Sequence, residues 1–235
     1  MDELGASYRP PVFSITKEKT VGIVGGGPAG LTAAQDLAEA GYKVCIYEMT
    51  SMLGGYMTWG IPTFRCPREV FQEDIDRILA RCPGITVNLN TALGDDITLD
   101  ELKDRHDAVL LTIGAWWGKG VGLENPISHE GVVDGVTFLR RINDGERPVM
   151  PSNVVVVGAG DVAMDACRVA KRLPGCDHVQ VLYRRGAEEI PARRDELEGA
   201  AKEEIELIYN VQPVSVEEAN GEGNDFWLES SVGLF

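Results

Sequence analysis

Two short glycine-rich turns constrain this chain more than any other feature. Gly25-Gly26-Gly27-Pro28-Ala29-Gly30 follows Val21-Gly22-Ile23-Val24, and Gly158-Ala159-Gly160-Asp161-Val162-Ala163 follows Val154-Val155-Val156-Val157. Each turn lies between a β-branched run, which favours a buried strand, and a run of helix formers. Lacking side chains, such a turn lets a pyrophosphate approach the backbone, and the negative charge then rests on the N–H groups at the start of the helix. One GxGxxG is a weak signal. Two in one chain, each with a strand before and a helix after, imply two dinucleotide sites and an enzyme that passes electrons between two nucleotide cofactors.

The rest of the pattern alternates in the same βαβ manner. Spacing predicts a strand over 21–24, a helix over 28–40 ended by Gly41, and a second strand over 43–48. Glycine and proline punctuation from Gly54-Gly55 to Pro67 predicts an irregular loop. A helix over 68–81 follows, with Val70, Ile75, Ile78 and Leu79 at helical spacing, then strands over 85–89 and 108–113. The second half predicts a strand over 153–157, a helix over 162–173, a strand over 178–183, a charged helix over 193–204 and two short strands near 206–209 and 213–216. Consecutive βαβ units imply parallel sheets and an α/β fold. The expected boundaries are an N-terminal arm over 1–19, a first binding domain over 20–115, a connector over 116–152 with one short helix at 136–142, and a second binding domain over 153–235.

Composition narrows the partners. The 235 residues carry a formal charge of −15 and no block of Lys or Arg, which argues against nucleic acid or an anionic membrane as the main partner. Residues 1–16 contain acids and prolines without an apolar core, and no run approaches the roughly 18 apolar residues of a membrane helix, so the expected location is the cytoplasm. The five cysteines (Cys45, Cys66, Cys82, Cys167 and Cys176) show no CxxC pairing and read as reduced thiols, with no metal site.

What distinguishes the two halves is the residue that ends the second strand of each. The first ends Ile46-Tyr47-Glu48, the second Leu182-Tyr183-Arg184, followed by Arg185. A carboxylate there, about 20 residues past the glycines, accepts hydrogen bonds from a ribose diol and repels a 2′-phosphate, so Glu48 suits FAD or NAD. An arginine fork matches phosphate, so Arg184 and Arg185 suit NADP; the competing reading is a surface ion-pair cluster with Glu188, Glu189 and Asp195. Hydride transfer between nicotinamide and flavin needs orientation rather than an acid–base pair, and no catalytic side chain is expected. His106, His129 and His178 are scattered and read as structural or surface residues. Cys66 stands alone, without the partner a disulfide relay requires. Trp116-Trp117 reads as connector packing, or else as a cover for an aromatic ring.

Further segments carry a family resemblance: Gly54-Gly55, Gly60-Ile61-Pro62-Thr63-Phe64-Arg65, Gly122-Leu123-Glu124-Asn125, Gly160-Asp161-Val162-Ala163-Met164-Asp165, and Tyr183-Arg184-Arg185 with Ile190-Pro191-Ala192. From about residue 20 to about 216 the chain resembles the glutamate synthase small-subunit family of NAD(P)H-dependent FAD oxidoreductases. That resemblance implies two Rossmann-like domains, an FAD domain followed by an NAD(P) domain. It implies that Gly25, Gly27, Pro28, Ala29, Gly30, Glu48, Gly55 and Arg65 line FAD, with Thr112-Ile113-Gly114 as a second flavin-contacting turn. It further implies that Gly158, Gly160, Asp161, Val162, Arg184 and Arg185 line NADP(H) or NAD(H). The expected partner is an iron–sulfur subunit in a hetero-oligomer. Family members usually carry a cysteine-rich N-terminal domain and a final segment that closes over the flavin. Neither is found here, and 222–235 matches no element of the family, so the clusters are expected on another chain and the closing segment is expected to be missing. A stand-alone flavin reductase and an inactive nucleotide-binding scaffold are the alternative readings.

Overall fold

The computed structural model describes residues 11–118, 131–218 and 226–232. The chain divides into two compact units, Met1–Trp116 and Trp117–Phe235. His129 and the segment 122–125 lie outside the described residues.

In the first unit, β1 (Thr20–Val24), β2 (Lys43–Tyr47), β3 (Ile85–Asn88) and β4 (Ala108–Leu111) form a parallel sheet in the order β3-β2-β1-β4. The helix α1 (Pro28–Glu39) buries Gly30, Leu31, Ala34 and Ala38, a stripe spaced by three and four residues. These small side chains lie against Ile23, Val44 and Ile46 of the sheet, and Ile75 of α3 (Arg68–Arg81) packs into the same core. Two short helices depart from the sequence expectation. Within the loop expected to be irregular, α2 (Tyr56–Trp59) forms because Thr58 and Trp59 are buried and the Thr58 hydroxyl donates to Leu53 O at 2.8 Å. The helix α4 (Leu99–Arg105) was not foreseen, although Thr98 and Glu101 form a capping box at its start. Strand β4 ends two residues earlier than expected because Thr112 turns away to brace the first glycine turn.

The second unit orders β5 (Asn153–Val157), β6 (His178–Tyr183) and β7 (Glu206–Tyr209) as a parallel sheet, β5-β6-β7. Its central helix, α6 (Asp161–Arg172), is buried on two sides. Ala163, Met164, Cys167 and Ala170 face Val179 and Val181 of the sheet, while Ala166, Val169 and Leu173 pack against Leu139 and Ile142 of α5 (Gly135–Asn143). After a 3-10 turn at Ala187–Glu189 comes α7 (Arg194–Lys202). A separate antiparallel pair closes the described chain: β8 (Val211–Glu218) is longer than the expected strand near 213–216, and its partner β9 (Phe226–Val232) falls in the segment that matched no family element. No helix of the described residues is long and apolar enough to cross a membrane.

Candidate functional site

At the first glycine turn, side chains are excluded by both conformation and space. Gly25 has φ +102°, and a Cβ there would lie 2.4 Å from Thr112 O; a Cβ on Gly30 would lie 2.0 Å from Gly25 O. The Thr112 hydroxyl lies 2.9 Å from Gly25 O and 3.0 Å from Val24 O, one donor shared between two carbonyls. The turn is therefore strapped to the end of β4. Gly27 caps α1 in an extended conformation, with Pro28 at the first helical position and both Pro28 and Ala29 exposed. The helix start has no side-chain cap among the described residues, in contrast to α4 and α5, which are capped by Thr98 and Asp134. Its first N–H groups therefore have no side-chain acceptor among the described residues, as at the starts of α3 and α7.

Glu48 is only 4% exposed, so it is not a solvated strand end. Its Oε2 accepts the Gly26 N–H at 2.7 Å, and its Oε1 accepts the Thr50 N–H at 2.9 Å and the Thr50 hydroxyl at 2.8 Å. Three of about four acceptor positions are filled from within the chain, which leaves Oε2 room for one further donor rather than for a whole diol. The Gly54-Gly55 loop joins the same knot. Gly54 N–H donates to Gly26 O at 2.8 Å, and Gly55, at φ +54°, lies so close that its Cβ would meet Gly27 Cα at 2.8 Å. Half-buried Arg65 sits in a following turn closed by its own N–H onto Pro62 O at 2.9 Å. Gly114, at φ +64°, is exposed, and a Cβ there would meet nothing within 4 Å.

The second turn has the same backbone but open surroundings. Gly158 has φ +111° and donates to Leu182 O at 2.9 Å, while Gly160 caps α6; a Cβ on either would meet nothing within 4 Å. That open space above an uncapped helix start fits a pyrophosphate. Asp161 opens α6 with a half-exposed carboxylate, and Val162 packs beside Gly135 at the start of α5. Arg184 and Arg185 are exposed at the end of β6. Arg185 Nε lies 4.0 Å from Glu189 Oε1, with both side chains more than half exposed, whereas Arg184 has no ion pair among the described residues. The ion-pair reading therefore applies to Arg185 and leaves Arg184 available.

The sequence reading missed Arg193, which it treated as the first residue of a charged helix. Ala192 N–H donates to Ala159 O at 3.2 Å and Arg193 N–H to Asp161 Oδ1 at 3.3 Å, so this segment lies along the second glycine turn. Its one local signal is Pro191, which favours an extended chain before α7; the contact with Asp161 spans 32 positions. Among the histidines, His106 is structural. Its Nε2 sits 2.9 Å from Tyr47 Oη, and its ring fills the space over Gly22, where a Cβ would lie 2.6 Å from His106 Cδ2. Burial, with help from Arg105, holds its pKa below the usual value, and burial pushes the Tyr47 hydroxyl up to about 12. His178 is exposed at the start of β6, and Trp117 is exposed with the Arg140 guanidinium 5.5 Å from its ring centre.

Two parallel α/β units, each with a glycine turn leading into an uncapped helix, define a double Rossmann-like chain. The pyridine nucleotide-disulphide oxidoreductase family matches residues 19–230, and the chain belongs to it. The chain is 40% identical over 205 residues to the NADP(+)-dependent formate dehydrogenase subunit beta of Moorella thermoacetica, covering 86% of this chain and 29% of that protein. It is 36% identical over 228 residues to the NADPH glutamate synthase small chain of Escherichia coli (strain K12), covering 92% of this chain and 47% of that one. These relatives support the resemblance to glutamate synthase small subunits, and the chain spans less than half the length of either. The fold is shared with FprA from Mycobacterium tuberculosis in complex with NADPH, at a TM-score of 0.77 and 16% identity, over 92% of this chain and 67% of that one.

Proposed function

We propose that this chain is the nucleotide-handling part of an NAD(P)H-dependent FAD oxidoreductase subunit, with FAD on the first glycine turn and NADPH on the second. The observation that carries the reading is the opposite chemistry at equivalent strand ends: buried Glu48 behind one turn and exposed Arg184, without an ion pair among the described residues, behind the other. When bound, the cofactors supply hydride exchange between nicotinamide and flavin and onward transfer of single electrons. The chain's part is to hold and orient them. The N–H groups opening α1 and α6 receive the two pyrophosphates, with Gly25, Gly27, Pro28, Ala29, Gly30, Gly55, Arg65, Thr112 and Gly114 around the flavin nucleotide. Gly158, Gly160, Asp161 and Val162 surround the nicotinamide nucleotide. Glu48 offers Oε2 to one ribose hydroxyl and keeps a 2′-phosphate away by its charge. Arg184 presents a guanidinium fork to that phosphate in the second unit, and Arg185 adds charge beside it.

The finer part of the proposal is an iron–sulfur partner subunit in a cytoplasmic hetero-oligomer. Its hetero-oligomeric part is supported by the names of the relatives, a subunit beta and a small chain. Purification from the native source at low salt tests it: a cluster-bearing chain that co-elutes and is reduced by NADPH is the expected result, and a lone flavin reductase favours the stand-alone reading. Specificity is tested by Arg184→Gln. Its preference for NADPH over NADH is expected to fall roughly 10–100-fold through loss of charge-assisted bonds. Equal loss with both nucleotides would reject the phosphate assignment.

A further inference from the structure

We propose that Arg193 is a positioning residue for the second glycine turn, neutralising the Asp161 carboxylate so that a pyrophosphate can settle on the start of α6. The inference rests on the reading of that turn as a nicotinamide-nucleotide site. Asp161 is the first residue of α6, and its side chain is 51% exposed beside the open space over Gly158 and Gly160. An acid suits the positive end of a helix. Here, however, it shares that field with an incoming anion, and like charges repel more strongly near a protein surface than in bulk water.

The segment that approaches the turn carries the compensating charge. Arg193 N–H donates to Asp161 Oδ1 at 3.3 Å, and Arg193 Nε lies 4.0 Å from the same oxygen. The guanidinium is anchored from behind by Glu196, whose Oε1 accepts Arg193 Nη2 at 3.4 Å. Asp195 Oδ1 also lies 4.0 Å from Arg193 Nε, at the exposed side. Glu196 is itself buried, with its other oxygen held by Arg168 Nη1, and Arg168 Nε donates to Glu203 at 2.9 Å. A buried ionic network of this kind is weak as a source of stability. What it does geometrically is hold the Arg193 head 4.0 Å from the Asp161 carboxylate that opens α6. Arg184, at the end of β6, addresses the phosphate that separates NADPH from NADH. Arg193 addresses the pyrophosphate common to both.

The two roles predict different binding patterns. Titration calorimetry of the flavin-loaded protein with NADPH and NADH should give, for Arg193→Gln, the same weakening of both nucleotides, about 5–20-fold, with their ratio unchanged. Asp161→Asn keeps an acceptor for the Arg193 N–H and removes only the charge. In the double variant it should restore both affinities to within about threefold of wild type. That pattern supports the proposal. Wild-type affinity in Arg193→Gln, weakening of NADPH alone, or a weak Arg193→Gln that Asp161→Asn fails to restore would each overturn it while leaving the nucleotide reading intact. A wild-type protein that binds neither nucleotide overturns both. Both substitutions are at exposed side chains, and thermal midpoints close to wild type check that the fold is preserved.

Discussion

In the proposed flavin site, Glu48 links cofactor recognition to the shape of the glycine turn that it holds. Because its carboxylate holds Gly26 N–H and both donors of Thr50, Glu48→Gln puts an amide where acceptors are needed and leaves at least one buried donor unsatisfied. The expected outcome is a loss of flavin together with a drop in thermal stability on the order of 1–3 kcal/mol, read by absorbance of the purified protein and by thermal melts. Flavin loss alone, with an unchanged melt, would mean that the scaffolding role is overstated. His106 gives a separate signature. Its folded pKa lies below the ordinary value of about 6.5, so below that pH the unfolded chain binds more protons than the folded one, and stability is lost as pH falls through this window. Glu101, held low by Thr98, acts with the same sign at the lower pH of a carboxylate. Melts between about pH 7.5 and 5 should therefore show a decline that His106→Leu flattens. An identical slope in that variant would remove His106 as the cause.

At the scale of elements, the two glycine turns share a backbone and differ in what surrounds them. Gly30→Ala places a methyl 2.0 Å from Gly25 O and should destabilise the first unit by about 1–3 kcal/mol. Gly160→Ala, at φ −86° and in open space, should fold as wild type yet lose at least about tenfold in nucleotide affinity, because the methyl occupies the space assigned to the pyrophosphate. Full nucleotide affinity in Gly160→Ala would place the ligand elsewhere. Much of this level was legible in the sequence. The helix Arg68–Arg81 and the strands Asn153–Val157 and His178–Tyr183 fall where apolar spacing put them. The helix α4 has a local signal too, the capping box of Thr98 and Glu101. What was not legible depends on partners distant in sequence: α2 forms where Trp59 finds burial, and β4 stops where Thr112 reaches back 87 positions to Gly25. Likewise the engaged state of Glu48 depends on the Gly26 N–H 22 positions away, and the place of Arg193 depends on Asp161 32 positions away.

For the whole molecule, the central claim is that one chain carries a flavin site and a nicotinamide site of opposite charge preference. Each unit has its own parallel sheet and core, so each ligand should stabilise the unit that holds it, by an amount that grows with ligand concentration. Neither the sheets nor the cores decide the chemistry. In the proposed function the strand-end residues and the helix starts after the glycine turns do. The most direct measurement is an anaerobic titration of the flavin-loaded protein with NADPH and with NADH, followed at the flavin absorbance band. Stoichiometric bleaching by NADPH, weaker bleaching by NADH, and loss of that difference in Arg184→Gln are the expected results. A protein that holds no flavin, or a flavin band unchanged by either nucleotide, would contradict the claim.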